Sequence, residues 1–444
     1  MNPPTPHTIA ILMMPEYGGL NASFRLAHDL RQRGHRVVYG GPADFAAYVT
    51  QQGLAYHTFA DDPLREPPEF AEEVARVDPI RRFRRRLDRT AAVLRSLTDA
   101  LSRWFVELEP TVVLLDPVCW QYAGAALKRG LPIVALNPSM SSEIRAAIAP
   151  VTSGAAPVAR IPALTGARNL ALWARTLLGQ GWEGWPREWT ETAVMASAGF
   201  DPRGAIHAHG GRLAIGEYGY RLRGPELVLM PRAFEFPGVE AALPDRAYAG
   251  TSVWASRADS GFDWGQLAAG KRLAYCSVGT LFSVFPEARR LFHVAIEAFA
   301  RRADWQLLVS AGDAAESGEL GPLPANVVVA RRVPQLAVLE RAQLYITHAG
   351  AGAIREAIHG GVPMIALPLS MDNHGLAARV AFHGLGVRGS YRDVTAAQLG
   401  DLIDRVTATP GIAAAVRRMR DAARLEDERA DGVALVERVA ARRS

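Results

Sequence analysis

The 444-residue sequence predicts two doubly wound α/β domains facing each other across a cleft. Three observations carry this. Short, continuously apolar runs alternate with longer amphipathic ones, the pattern of strands buried on both faces of a parallel sheet. The pattern runs once through the first half and restarts after Gly250, and two β-α-β series make two sheets. The length suits two or three domains of about 100–200 residues each.

In the first half, residues 8–13 read as a strand, 20–33 as a helix closed by Gly34, and 36–39 as the next strand. Residues 111–115, 132–136 and 226–230 are further buried strands. Between 78 and 109 lies a long helix, with Ile80, Phe83, Leu87, Leu94, Leu97, Leu101 and Leu108 on one apolar stripe. Its first turns carry Arg81, Arg82, Arg84, Arg85, Arg86 and Arg89, read either as a solvated face or as a patch that meets anionic lipid headgroups, a peripheral membrane contact, or an acidic partner. Residues 236–262 have mixed polarity and Gly/Pro/Asp punctuation and read as a linker. In the second half, 272–277, 305–310, 327–330, 344–347 and 363–367 are strands and 286–301 a helix. The charged helical stretch 412–443 is a candidate to pack back on the first half. The expected division is 1–235, 236–262 and 263–444.

Composition excludes several classes. A net charge of +5 does not call for nucleic acid. The two cysteines, Cys119 and Cys276, sit in or beside apolar runs as small core hydrophobes, not as a disulfide framework or metal site. With no secretion-signal pattern and no apolar run of about 18 residues, the expected compartment is the cytoplasm.

Ligands of doubly wound sheets sit at the carboxyl ends of the strands. There, Thr347-His348-Ala349-Gly350-Ala351-Gly352-Ala353 forms a Gly-rich turn between a strand and a helix. The unpaired amides opening that helix, its dipole and two residues without Cβ atoms suit a diphosphate, with His348 as a further donor. The third glycine of a dinucleotide fingerprint is missing, and neither lysine is near enough for a Walker loop. Asp372-Asn373 follows a later strand at the same edge; a carboxylate beside an amide suits vicinal sugar hydroxyls, although Asp372 is equally suited to cap the next helix.

Val333-Pro334-Gln335, His348-Ala349-Gly350, Glu356, Gly361-Val362-Pro363 and Pro368…Asp372-Asn373 follow the order and spacing of a known signature. They resemble the donor site of the family 1 glycosyltransferases, the UDP-glycosyltransferases and bacterial macrolide or carotenoid glycosyltransferases. Ser277-Val278-Gly279-Thr280 is similar to that family's first phosphate turn, and the segment from Met14 to Asn21 to its N-terminal loop. The resemblance implies the GT-B fold, two Rossmann-like domains with the acceptor in the first and the nucleotide sugar in the second. It implies Val333 and Gln335 near the base, Glu356 on the ribose, and Thr280, His348, Gly350, Gly352 and Ala353 around the diphosphate. Asp372 and Asn373 would hold the sugar. It further implies a UDP- or TDP-sugar donor, no separate cofactor, no metal, and a small apolar acceptor lined in part by residues 173–189.

The sequence departs from the family in three places. Ala353 stands where Ser or Thr is usual, and Asn373 where Gln is usual. Gly19 replaces the His that deprotonates the acceptor, a kind of help typically worth about 10²–10⁴-fold in rate. Asp116, which would orient that His, is present. Three substitutes are open: Asp116 directly or through water, Glu16 in the same loop, or an acceptor that needs no strong base. A capping role for Asp116 also stands. The remaining readings are a catalytically silent homologue acting as a binding or activator protein, and a sugar-nucleotide epimerase.

Overall fold

The computed structural model describes residues 5–59, 69, 72–73, 76–140, 143–158, 162–179, 212–216, 219–280 and 288–443. The first sheet contains β1 (Thr8–Leu12), β2 (Arg36–Gly41), β3 (Ala55–Thr58), β4 (Val112–Leu115) and β5 (Ile133–Asn137). A separate antiparallel hairpin follows, β6 (Arg212–Gly216) with β7 (Gly219–Arg223), and then β8 (Glu226–Val228) and β9 (Arg246–Tyr248) complete the sheet. Its order is β3-β2-β1-β4-β5-β8-β9, every pairing parallel. The second sheet contains β10 (Arg272–Ser277), β11 (Trp305–Ser310), β12 (Val327–Ala330), β13 (Leu344–Thr347), β14 (Met364–Ala366) and β15 (Gly386–Arg388). It is also parallel, in the order β12-β11-β10-β13-β14-β15.

Both sheets reverse strand order beside their first strand, β1 and β10. This is where crossovers diverge to opposite faces and leave a crevice at the carboxyl edge. Ile9, Ala10, Ile11 and Leu12 are fully buried, as are Ala274 and Cys276, because helices cover both faces. Cys119 and Cys276 are buried free thiols.

Helix α1 (Tyr17–Gln32) follows β1, and α2 (Pro79–Leu108) is the long arginine-rich helix. Leu94, Leu97, Leu101 and Leu108 of its stripe are buried; the side chains of Ile80, Phe83 and Leu87 lie outside the described set. Arg81, Arg84, Arg85 and Arg86 are exposed, Arg82 and Arg89 half-buried. Arg81 pairs with Asp78 at 3.4 Å and Arg85 with Glu73. Among the described residues no helix is long and apolar enough to cross a membrane.

The segment expected to be a linker carries β9 at the edge of the first sheet. Arg246 hides that strand in the sequence: its guanidinium is buried because Nε donates to Glu226 Oε2 at 2.7 Å. At the far end, α3 (Ala351–Gly360), α4 (Asn373–Phe382), α5 (Pro410–Arg429) and α6 (Asp431–Ala440) follow the strands of the second half. Helix α6 returns to the first sheet, where Val433, Leu435, Val436 and Val439 share one core with Ile9, Ile11 and Leu227.

A buried ion pair fastens α4 to the first half. Arg379 Nη2 donates to Glu235 Oε1 at 2.5 Å, and both side chains are almost inaccessible. Removing one member of such a pair typically costs about 3–5 kcal/mol, because the other charge stays buried without compensation. Arg379→Met should therefore lower the unfolding free energy from denaturant titration by an amount toward the lower end of that range, since Arg246 remains 3.9 Å from Glu235, and the double variant Glu235→Leu/Arg379→Met should regain most of it. Equal midpoints for wild type and Arg379→Met would show that the pair does not hold the halves together.

Candidate functional site

Two neighbouring strand ends build one half of the site. In β10 and β13, Ser277 and Thr347 pair in register. Each hydroxyl accepts the amide two residues on: Gly279 N to Ser277 Oγ at 3.3 Å, and Ala349 N to Thr347 Oγ1 at 3.2 Å. Both turns then take positive φ, +78° at Gly279 and +65° at Ala349. A non-glycine held there is strained, and such strain gathers at functional sites. The His348 imidazole lies between the turns. A Cβ added at Gly279 would sit 2.6 Å from its Cε1, and one at Gly350 2.4 Å from its Nε2. Burial pulls the His348 pKa down to about 4, with the Ser277 backbone working the other way. The ring is thus neutral at physiological pH and donates through one N–H.

Gly350 is the N-cap of α3, and no side chain caps it. The Ile354 amide is the first to bond back, to the Gly350 carbonyl at 3.0 Å. The earlier amides of the helix, Ala353 included, are open orphan donors with the positive end of the helix dipole behind them. Thr280 lies exposed at the edge of the first turn.

Behind this loop runs a polar chain. Tyr275 and Tyr345, stacked with ring centroids 4.9 Å apart, both donate to Gln335 Oε1, at 3.1 and 3.4 Å. Gln335 Nε2 donates to Glu356 Oε2 at 2.8 Å, and Arg257 Nη1 to Glu356 Oε1 at 2.7 Å. Arg257 also bonds both oxygens of Asp259. Val333 is buried at the start of the same loop. Sequence reasoning brought Gln335, Val333 and Glu356 to one place but missed Arg257, which lies in the segment read as linker.

Asp372 and Asn373 open α4. Ser139 Oγ, from the loop after β5, donates to Asp372 Oδ2 at 2.6 Å, and Asn373 Nδ2 to Asp372 Oδ1 at 3.2 Å. The Asp372 side chain makes no capping bond to its own helix. Burial raises its pKa, partly offset by these two donors.

The first half faces this edge with the loop after β1 and the end of β4. Asp116 is 1% exposed. Its Oδ1 accepts the Val118 amide at 3.0 Å, and its Oδ2 the Met14 amide at 3.3 Å. It therefore caps a 3₁₀ turn, Pro117–Tyr122, and ties two loops together. Glu16 is half-buried at the N-cap of α1. A Cβ built on Gly19 would lie 3.7 Å from Glu16 Oε1 and 3.8 Å from Asp116 Oδ2, so two carboxylates already border the space a side chain at 19 would enter. Burial, then Asp116, then Asp372 raise the Glu16 pKa to about 7, against the nearby Gly19 amide. The halves meet here: a Cβ on Gly352 would lie 3.8 Å from the Gly18 Cα. Of the expected acceptor lining, Trp173 is buried and donates to the Ile148 carbonyl at 2.7 Å; residues 180–189 lie outside the described residues.

Two parallel α/β domains with an open helix N-terminus on one side of a cleft and carboxylates on the other define a group-transfer fold of the GT-B class. Residues 299–434 match the family described as "Erythromycin biosynthesis protein CIII-like, C-terminal domain". The chain is 30% identical over 423 residues to demethyllactenocin mycarosyltransferase of Streptomyces fradiae, covering 93% of this chain and 82% of that one. It is 24% identical over 424 residues to NDP-glycosyltransferase YjiC of Bacillus subtilis (strain 168), covering 93% and 92%. The crystal structure of the glycotransferase of kitacinnamycin superposes with a TM-score of 0.70 at 25% identity, over 98% of this chain and 99% of that one. The chain belongs to the macrolide-type family 1 glycosyltransferases, and it is a glycosyltransferase.

Two predictions follow from this geometry. Gly279→Ala places a Cβ inside the van der Waals shell of His348 at a positive φ, and His348→Ala removes the ring. Each should weaken binding of UDP or TDP by about three- to tenfold, the 0.5–1.5 kcal/mol of one neutral hydrogen bond; calorimetry with unchanged affinity in both would remove His348 from the anion site. The second concerns Glu16. Its folded pKa lies above its unfolded value, so the folded state binds the extra proton and stability falls as pH rises from about 4.5 to about 7. Glu16→Gln should then melt at a higher temperature than wild type at pH 8 and at nearly the same temperature at pH 4. A difference that does not change with pH would contradict the burial of Glu16 beside Asp116 and Asp372.

Proposed function

We propose that this glycosyltransferase moves a sugar from a UDP- or TDP-sugar to a hydroxyl or acid group of a small apolar natural product, with inversion at the anomeric carbon. The observation that carries the proposal is that a Cβ built on Gly352 would lie only 3.8 Å from the Gly18 Cα, so the open helix end of α3 faces the first turn of α1, two residues from a carboxylate whose pKa is near neutrality. The relatives named as a mycarosyltransferase and an NDP-glycosyltransferase support the donor class.

In this reading the open amides of α3, with His348, hold the diphosphate, Thr280 contacts it from the neighbouring turn, and Gln335 and Val333 flank the base. Glu356 is ready for the ribose, provided that it exchanges its bonds to Gln335 or Arg257 for hydroxyls. Asp372 and Asn373 take the sugar hydroxyls in place of Ser139. Glu16 is the base. It takes the proton of the acceptor O–H as that oxygen bonds to the anomeric carbon. The bond from that carbon to the diphosphate oxygen breaks, and its electron pair stays on the diphosphate, where helix amides are already oriented to receive it. Attack and departure occur on opposite faces, and this inverts the centre. A carboxyl group with pKa near the working pH is well matched to such proton transfer. Asp116, whose oxygens are committed to the Met14 and Val118 amides, serves as a fixed anion that orders the Glu16 loop and stabilises positive charge developing on the sugar.

The test is a screen of UDP-glucose and TDP-glucose against macrolide aglycones, phenols and carotenoid diols, read by mass spectrometry. With a productive pair, kcat/KM should rise with pH through about 7. Glu16→Gln should lose that rise and about 10²–10⁴-fold in kcat while UDP or TDP affinity is kept; Asp116→Asn should lower kcat and keep a rise displaced to lower pH, because the Asp116 charge is one of the groups that lifts Glu16. If Glu16→Gln turns over at the wild-type rate with the same pH profile, the assignment of the base fails. Tight nucleotide binding without product from any pair would defeat the transfer reading.

A further inference from the structure

One buried cation has no part in the scheme above. Arg355, one turn into α3, is 1% exposed. It makes no ion pair with a carboxylate among the described residues. Its guanidinium reaches three main-chain carbonyls of the other half: Pro138 at 3.2 Å and Leu229 at 3.3 Å from Nη1, and Gly18 at 3.4 Å from Nη2. These carbonyls stand after β5, after β8 and after β1, the carboxyl edge of the first sheet. Nε has no partner. The nearest charges acting on it are Glu356 and Asp427, with Arg257 opposing them, and burial pulls its pKa down to about 10, so it stays a cation at neutral pH.

Such a group is costly. A charge taken out of water with only carbonyl dipoles for company is less favourable than an apolar side chain of the same volume. Glue between two halves needs only packing, so the retained charge points to a requirement for register. The register it sets is specific. Nη2 lies 3.8 Å from the position of a Cβ on Gly352, in the anion loop, and bonds the Gly18 carbonyl, two residues from Glu16.

We propose that Arg355 is a positioning residue for the transfer step: it pins the anion-binding end of α3 to the first turn of α1 at Gly18 and so fixes the separation between leaving diphosphate and base. This rests on the transferase mechanism above. Reaction is far more sensitive than binding to that separation, since a displacement of about 1 Å can cost about 10²-fold in rate.

Arg355→Met and Arg355→Lys test it in the full-length protein. In Arg355→Met, kcat for a productive donor and acceptor pair should fall by about 10²-fold, with TDP or UDP affinity by calorimetry within about threefold of wild type. Arg355→Lys should recover part of kcat, since an ammonium group can satisfy one carbonyl but not all three. Small-angle scattering without nucleotide should show a larger radius of gyration for Arg355→Met than for wild type. An affinity loss that matches the loss in kcat/KM would make Arg355 a phosphate ligand instead and overturn the proposal, as would unchanged kcat. If the wild-type protein transfers no sugar, the transferase mechanism fails on its own, and scattering decides: identical profiles for wild type and Arg355→Met would sink the pinning role.

Discussion

Two turns without side chains, Gly279 and Gly350, decide what this cleft can do. They end neighbouring strands held in register, and the space between them is filled by one imidazole that touches both. Because the ring is wedged, its orientation is set by backbone and not by a flexible chain of hydrogen bonds. Because it is desolvated, it is neutral and acts as a dipole and donor rather than a charge. The positive field of the site then comes mainly from the open amides of α3. That division makes sense for a leaving diphosphate: fixed dipoles need not reorganise when charge develops. Alanine in place of a hydroxyl residue at 353 leaves even more of that task to backbone.

What surrounds the loop is arranged to hold it still. Gln335 is oriented by two tyrosines and Glu356 by Gln335 and Arg257, each donor matched with an acceptor inside the core. Ser139 and Asp372 join the sugar side to the first half. Through Asn137, Glu226 and Arg246, that contact continues into the pair network that ends at Glu235 and Arg379. The cleft is therefore framed by polar bridges where α4 begins and by the buried cation Arg355 beside the start of α3.

Much of this was legible in the sequence, for a physical reason. Central parallel strands must be apolar on both faces, so β1, β4, β10, β11 and β13 announce themselves as unbroken runs. The missed strands are edge pieces of three or four residues, or the β6–β7 hairpin. Strand β9 carries a buried arginine, and β3 has His57 and Thr58 exposed enough to blur any pattern. The Gly-rich turn at 347–353 was readable because its geometry is local, a strand end, glycines and a helix start within seven residues. Arg257, Ser139 and Arg355 were not, because what makes each matter is a partner brought from roughly a hundred residues or more away. Tyr275 and Tyr345 left a faint signal, a hydroxyl inside each of two apolar runs, which a search for buried polar atoms in need of partners would have found.

The glycine at position 19 looks like a loss when read against the family, but the structure gives it another sense. Three carboxylates crowd one seam, and their surroundings differ. Asp116 is held by two main-chain amides, and Asp372 by a serine and an asparagine. Glu16 has the fewest donors; burial, and after it the charges of Asp116 and Asp372, lift its pKa to about 7, and burial raises Asp372 as well. Environments that separate the affinities of neighbouring acids for protons assign their roles. A side chain on residue 19 would enter the space bordered by Glu16, Asp116 and Met13. Without it, burial first and the repulsion of the neighbouring acids second keep the Glu16 carboxyl group raised toward neutrality. In the proposed mechanism, this raised carboxyl group accepts the proton that the family's usual imidazole would take.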